Sequence, residues 1–274
     1  MKRGTLYIVP TPIGNLADFT IRAREILASV DMIACEDTRR TKKLLNYYQI
    51  KKPLISYEKF SEASRVDEIV GMLEKGQDVA LVSDSGTPAI SDPGAILISR
   101  VRSEGIKVEA LPGPCALITA ICASGFDGPF RFIGFFPRQK SLAKKEILKI
   151  YLSQEITVFY ETPTRILKTM QALSETLSER EICIAREISK MHEEYIIGKF
   201  LEVMAGIKRT PPRGEIVVIV KGSSQQLDVD EGLIRQRAKN LIESGYTKKE
   251  ILRVLTQETL LSRNALYRML IEIS

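Results

Sequence analysis
Ser83 to Gly94, SDSGTPAISDPG, packs two Asp, three Ser, two Gly and two Pro into twelve residues directly behind the apolar run DVALV at 78–82. Carboxylates, hydroxyls and open backbone are the groups that hold a polar small molecule. Gly allows φ > 0 and close backbone approach, Pro removes donors, and Asp and Ser bond locally to the backbone. The stretch therefore neither continues a strand nor starts a helix before its last Pro-Gly. A strand ending in such a loop before a helix, here AILISRVRSEG at 95–105, is where open α/β sheets take their ligands. TPIGNLADFT (11–20) and LPGPCA (111–116) have similar make-up at strand ends. Three such loops on one sheet edge form a cleft lined by backbone N–H and C=O groups. That suits a nucleoside-like ligand better than a metal or a polyphosphate.

Other charged side chains also fall at strand ends. CEDTRRTKKLL (35–45) places Glu36 and Asp37 where a strand passes into a helix, with Asp37 or Thr38 as its natural N-cap. Arg39, Arg40, Lys42 and Lys43 then load the start of that helix with cations, against the macrodipole. This mildly favours phosphate binding over a merely solvated basic face. YETPTRI (160–166) brings Glu161 and Arg165, AREISK (185–190) brings Arg186, Glu187 and Lys190, and PPRGEIVV (211–218) brings Arg213 and Glu215. All flank strands on one expected edge; a salt-bridge network is the competing reading of each.

Several chemistries are excluded. His192 is the only histidine, beside two Glu in KMHEEY. That removes Ser-His-Asp and Cys-His mechanisms unless His192 is itself the base, and it removes multi-histidine metal sites; a solvated turn is the favoured reading. No GxGxxG follows the first strand and no GxxxxGK[ST] occurs, so neither a Rossmann dinucleotide site nor a P-loop is expected. Asp84-Ser85-Gly86 matches the DSG of aspartic proteases only superficially, because that chemistry needs two such loops in an all-β fold. Cys35, Cys115, Cys122 and Cys183 are far apart without a CxxC pair, which argues against disulfides or zinc and suits a reducing cytosol. With 40 basic and 34 acidic residues, the net charge of +6 permits an anionic partner without demanding one. The start, MKRGTLYIVPTP, reads as a first strand rather than a signal peptide, and no apolar run is long enough to span a membrane.

The elements that position these residues alternate. Strands are expected at 5–9, 32–35, 53–57, 78–82 and 107–111, with helices at 20–30, 38–48, 62–76 and 95–105, the last two stopped at Gly76 and Gly105. This βα alternation predicts a mainly parallel sheet with helices on both faces. LPGPCALITAICASG (111–125) reads as a hinge running into a small-residue helix. A second α/β unit follows, with strands at 131–136, 155–161, 181–187, 194–198 and 215–220 and helices at 142–152, 164–177 and 199–206. YIVPTPIG and FIGFFPR, each a strand running into proline, hint weakly at related lobes. After the polar linker KGSSQQLDVD (221–230) the chain reads as helical: one helix stops at Gly245, Thr247 and Glu250 form a capping box, and Ser262 caps the last. A helix-turn-helix and a small capping bundle are equal readings of this tail. The expected domains are 1–113, 114–222 and 228–274.

YIVPTPIGNLADFT, ACEDTRRTKKLL, LVSDSGTPAISDPG, LPGPCALITA, GFFPR, FYETPTR and AREISK, in this order, resemble the motifs of the ribosomal RNA small subunit methyltransferase I family, a branch of the tetrapyrrole methylase superfamily. The resemblance spans essentially the whole chain. It implies two α/β lobes with S-adenosylmethionine bound between them, plus the helical tail, usually as a homodimer. It implies methylation of the ribose 2′-oxygen of a cytidine in the decoding region of 16S rRNA, within the small ribosomal subunit, in the cytoplasm. Donor positions carried over are Pro12 in the first loop; Ser85, Gly86, Thr87 and Ile90, with Asp84 and Asp92 beside them; Cys115 and Ala116 in the third; and Glu161, Ala185, Gly214 and Glu215 in the second lobe. The wider superfamily has GGDP where this chain reads Ser85-Gly86-Thr87-Pro88; the departure weakens a tetrapyrrole substrate, not the donor site.

Methyl transfer to a hydroxyl is an in-line displacement, so alignment supplies much of the acceleration. A carboxylate or lysine in reach of the hydroxyl takes its proton; Asp37, Glu36, Glu161 and Lys190 are the candidates, unranked. Arg39, Arg40, Lys42, Lys43, Arg138, Lys140 and the basic tail helices are expected to hold RNA phosphates. No metal is expected. The competing functions are a tetrapyrrole C-methyltransferase using the same cleft, and a non-catalytic nucleic-acid-binding regulator.

Overall fold
A computed structural model describes residues 2–58, 62–209, 212, 214–224, 231–243, 246–259 and 261–273. Arg213, linker residues 225–230 and the stop at Gly245 lie outside the described residues. The chain divides into two compact units, 1–120 with 187–193, and 121–186 with 194–274.

In the first unit β1 (Thr5–Ile8), β2 (Met32–Cys35), β3 (Leu54–Ser56), β4 (Val79–Val82) and β5 (Lys107–Ala110) form one parallel sheet, ordered β3-β2-β4-β1-β5. The centre of such a sheet is covered on both faces, so its strands are continuously apolar. The strand β4, VALV, is buried throughout. Its Val79 and Leu81 join one core with α3 (Glu62–Glu74) and α4 (Ala95–Ser103). Its Ala80 and Val82 join another with α1 (Ile21–Ser29), and Leu45 of α2 (Thr38–Tyr47) lies in that same core. The caps expected from sequence are present: Thr20 accepts from the Ala23 N–H and Asp37 from the Arg39 N–H. After β1 the chain crosses one face towards β2, whereas after the neighbouring β4 it crosses the other face towards β5. The loops after β1 and β4 therefore flank the switch point where such sheets bind ligands. The helix α5 (Ala116–Ser124) follows β5.

The second unit is mixed. β6 (Phe130–Phe135), β7 (Ile156–Glu161), β8 (Glu181–Arg186), β9 (Glu194–Lys199) and β10 (Ile216–Val220) run in the order β6-β7-β10-β8-β9, and only β6 and β7 pair in parallel. A short connection joins β8 to β9, and short links force antiparallel neighbours. Helices α6 (Lys140–Leu152), α7 (Ile166–Leu177) and α8 (Phe200–Arg209) pack Ile150, Met170, Leu173, Phe200 and Val203 against Phe159, Ile184 and Val218 of the sheet. The different topology gives no support to the two units being repeats. Helices α9 (Glu231–Glu243), α10 (Lys248–Glu258) and α11 (Arg263–Ile273) bury Ile234, Ala238, Ile251, Leu255, Leu266 and Leu270 against one another. The Thr247–Glu250 capping box is formed, and Ser262 caps α11 by accepting from the Ala265 N–H. Among the described residues no helix is long and apolar enough to cross a membrane.

Candidate functional site
The loops after β1, β4 and β5 are tied together by hydrogen bonds. Thr11 and Gly86 exchange backbone bonds, Thr11 N to Gly86 O at 2.9 Å and Gly86 N to Thr11 O at 3.1 Å. The buried Thr11 hydroxyl donates to Ser83 O at 3.1 Å, and Ser83 Oγ to Gly86 O at 3.1 Å. Thr87 Oγ1 donates to Pro114 O at 2.9 Å, reaching the third loop. Gly86 has φ 80°, and a Cβ there would lie 3.1 Å from Ile13 Cγ2 and 3.5 Å from Pro114 O. Only glycine combines that conformation with that closeness. Pro12, Ser85, Gly86, Thr87, Cys115 and Ala116 thus lie on or beside these bonds, while Ile90 exposes 39% of its surface and Asp92 is half-buried.

The loop after β2 joins the same edge. Asp84 Oδ1 accepts the Asp37 N–H at 3.0 Å, and Asp84 Oδ2 lies 3.5 Å from Arg40 Nη1. Asp84 therefore links the 83–94 loop to the first turn of α2. The Asp37 carboxylate caps α2 and holds Arg39 at 2.8 Å, which keeps its carboxyl well below the usual range. Glu36 goes the other way: burial raises its carboxyl above the ordinary value, Asp92 and Asp84 add to this, and Arg40 offsets only part. The mostly negative surroundings of Glu36 suit a ligand carrying sulfonium and ammonium charge. The residues present thus fit S-adenosylmethionine. Among the described residues no cluster of His, Cys, Asp and Glu can hold a metal ion. Cys35 lies behind this edge with its thiol pushed up to about 11, first by burial, and Cys183 in the other unit up to about 12; both are inert core groups.

In the second unit the β10 register sets Ile216 opposite Glu161 on one side and Arg186 on the other. Glu161, Ala185 and the residues preceding β10, Gly214 and Glu215, thereby share one end of that sheet. Glu161 is wholly buried at its side chain. Its Oε1 accepts the Thr162 N–H at 2.9 Å, its Oε2 accepts the Thr169 hydroxyl at 2.7 Å, and Arg165 Nη2 lies 3.4 Å away. Arg165 also donates to Phe136 O. Ala185 is buried within β8 and offers only backbone.

Lys190 lies past the end of β8, in the segment 187–193 that packs with the first unit. Its amine pairs with Glu187 at 2.9 Å, and its Cγ would sit 2.4 Å from a Cβ on Gly14. Ser189 donates to Asp18, and His192 is exposed in the same turn. Arg39 and Lys42 line a groove of about 750 Å³ together with Asn46, Lys51 and Lys52. The last two were not anticipated, although the pair is plain in QIKKP (49–53). Lys43 is exposed outside the lining of that groove, and Arg138 and Lys140 are exposed at the start of α6.

The comparisons with known proteins agree with this arrangement. Residues 5–203 match the family described as Tetrapyrrole (Corrin/Porphyrin) Methylases. A protein of Bacillus subtilis (strain 168) named Ribosomal RNA small subunit methyltransferase I is 43% identical over 91% of this chain and 88% of its own length. One of the same name from Thermotoga maritima is 46% identical over 80% of this chain and 99% of its own. The crystal structure of a uroporphyrin-III C-methyl transferase from Thermus thermophilus complexed with S-adenyl homocysteine shares the fold at TM-score 0.57 and 15% identity, covering 80% of this chain and 97% of that one. Motif order, loop architecture and these likenesses together place the chain in the ribosomal RNA small subunit methyltransferase I family of the tetrapyrrole methylases, and it is an S-adenosylmethionine-dependent methyltransferase.

Proposed function
We propose that this methyltransferase acts on the ribose 2′-oxygen of a cytidine in the decoding region of 16S rRNA, within the small ribosomal subunit, as a cytoplasmic homodimer. One observation carries the reading: Asp84 joins the 83–94 loop to the helix that bears Arg39, Arg40, Lys42 and Lys43. A donor loop is thus coupled to a basic surface suited to an RNA backbone. S-adenosylmethionine, when bound, supplies an already activated methyl group. Pro12, Asp84, Ser85, Gly86, Thr87, Ile90, Asp92, Cys115 and Ala116 would hold it in the first unit; Ala185, Gly214 and Glu215 are the further positions that the family resemblance implies. Glu161 supports that second end by anchoring its turn.

Among the four candidate bases, Glu36 is the best supported. The Asp37 carboxylate is committed to the cap and Arg39, Glu161 is buried with both oxygens bonded, and the Lys190 amine is paired with Glu187. Glu36 has a raised carboxyl pKa in a half-buried position, which brings its basicity closer to what abstraction from a hydroxyl needs. The test uses S-adenosylmethionine labelled in its methyl group with small ribosomal subunits, followed by nucleotide mapping. Label on a ribose 2′-oxygen that resists alkaline cleavage is expected. Label on a base, or on a tetrapyrrole offered in competition, overturns the reading. Glu36→Gln is expected to lower turnover by roughly 10²-fold or more with donor affinity unchanged.

A further inference from the structure
The geometry points to a second RNA subsite in the first unit, a groove that stacks an unpaired nucleobase of the substrate on Tyr47. The groove has a volume of about 1020 Å³ and begins at Gly14, two residues past Pro12 on the first loop. Its floor is made of packed side chains. Tyr48 is tilted against Phe19 with ring centroids 5.1 Å apart, the Arg24 guanidinium lies 4.9 Å from the Tyr48 ring centre, and the Tyr48 hydroxyl donates to Leu16 O. Against this floor stands Tyr47, nearly perpendicular to Tyr48 at 4.9 Å and 64% exposed. The ring is thus backed by Tyr48 and presents most of its surface to solvent, where a planar base can stack on it.

Charge selects the occupant. Arg24 lines the groove, and Lys43 lies one helical turn before Tyr47 on the same stripe of α2. Neither cation has a carboxylate partner among the described residues. Ser189 and Lys190 close the far wall, the latter already paired with Glu187. An exposed aromatic ring flanked by cations without carboxylate partners is the combination that binds single-stranded RNA, with a base on the ring and phosphates on the cations. α2 thus serves two grooves: Arg39, Lys42 and Asn46 face the lysine-lined one, and Tyr47 the aromatic one.

The inference rests on RNA being the substrate, and the experiment separates the two. The full chain is assayed for methyl transfer to small-subunit rRNA, and for binding to a 16S rRNA fragment in which 2-aminopurine is scanned through the single-stranded positions. Tyr47→Ala is expected to raise KM for RNA about tenfold with little change in kcat or donor affinity. It is also expected to abolish the quenching of one 2-aminopurine position seen with the unaltered chain. Tyr47→Phe should restore both, because stacking needs the ring and not the hydroxyl. Unchanged KM and quenching in Tyr47→Ala overturn the subsite while leaving the substrate reading intact. Unchanged KM with altered self-association assigns the groove to a protein contact and likewise overturns it. Failure of the unaltered chain to bind or methylate the RNA overturns the substrate reading, and the subsite with it.

Discussion
Glu36 and Glu161 occupy corresponding places in the two units and meet opposite fates. Glu36 follows the last residue of β2, and Glu161 is the last residue of β7. Glu161 is fully buried, each of its oxygens accepts a hydrogen bond, and Arg165 stands beside it. Glu36 is half-buried, and the charges around it are mostly of its own sign. A buried, satisfied carboxylate fixes a turn; an under-compensated one at an open edge stays available for chemistry. Position at a strand end therefore does not decide whether a carboxylate is structural or reactive, whereas its partners do.

The largest expected effect tests the structural half. Glu161→Ala leaves the Thr162 N–H, the Thr169 hydroxyl and the Arg165 guanidinium without their partner, and should cost about 3–5 kcal/mol in urea denaturation. An equal loss from Glu36→Ala would erase the contrast. Next, Gly86→Ala forces a side chain into φ 80° against Ile13, and should cost about 2 kcal/mol in thermal unfolding. Donor affinity, measured by calorimetry, should fall with it. Gly71 within α3 is the control: a Cβ there meets nothing within 4 Å, so Gly71→Ala should be neutral or stabilising by up to about 1 kcal/mol.

The pH dependence sharpens the other half. The folded state raises the Glu36 carboxyl above its ordinary value of 4.5. Between the ordinary and raised values the folded protein binds more protons than the unfolded chain, so this group's contribution to stability declines as pH rises through that window. Glu36→Gln should flatten that part of the profile and be more stable than the parent at neutral pH, while losing turnover. A mutant that is both less stable and less active would make Glu36 structural after all. The smallest effect concerns the basic surfaces. Lys42→Ala should weaken RNA binding and lower the slope of log affinity against log salt by about 0.7. Lys140→Ala should lower it less, because Lys42 shares its groove with Arg39, Lys51 and Lys52.

Much of the fold was legible because its signals are local. Continuous apolar runs such as VALV mark buried strands, Thr20 and Asp37 announce helix starts, and the ten strands among the described residues lie within about a residue or two of their expected bounds. The donor loops were legible for the same reason, since glycine, proline and aspartate signal a special backbone where they stand. The mixed pairing of the second sheet was not, because pairing direction follows from connections and not from strand composition.

The amino-acid sequence by itself determined which segments become strands, where helices begin, which loops are glycine-bound, and, through its ordered motifs, the family. Only the tertiary structure decided what those residues do to one another. Thr11 meets Gly86 across 75 residues, Asp84 reaches the cap of α2, and the turn at 187–193 packs on Gly14. It also decided that Glu161 is satisfied, that Glu36 is crowded by Asp92 and Asp84, and that Tyr47 stands open beside Arg24. Propensities and caps act within a few residues, whereas desolvation, charge crowding and hydrogen-bond satisfaction depend on groups far apart in the chain that only folding brings together.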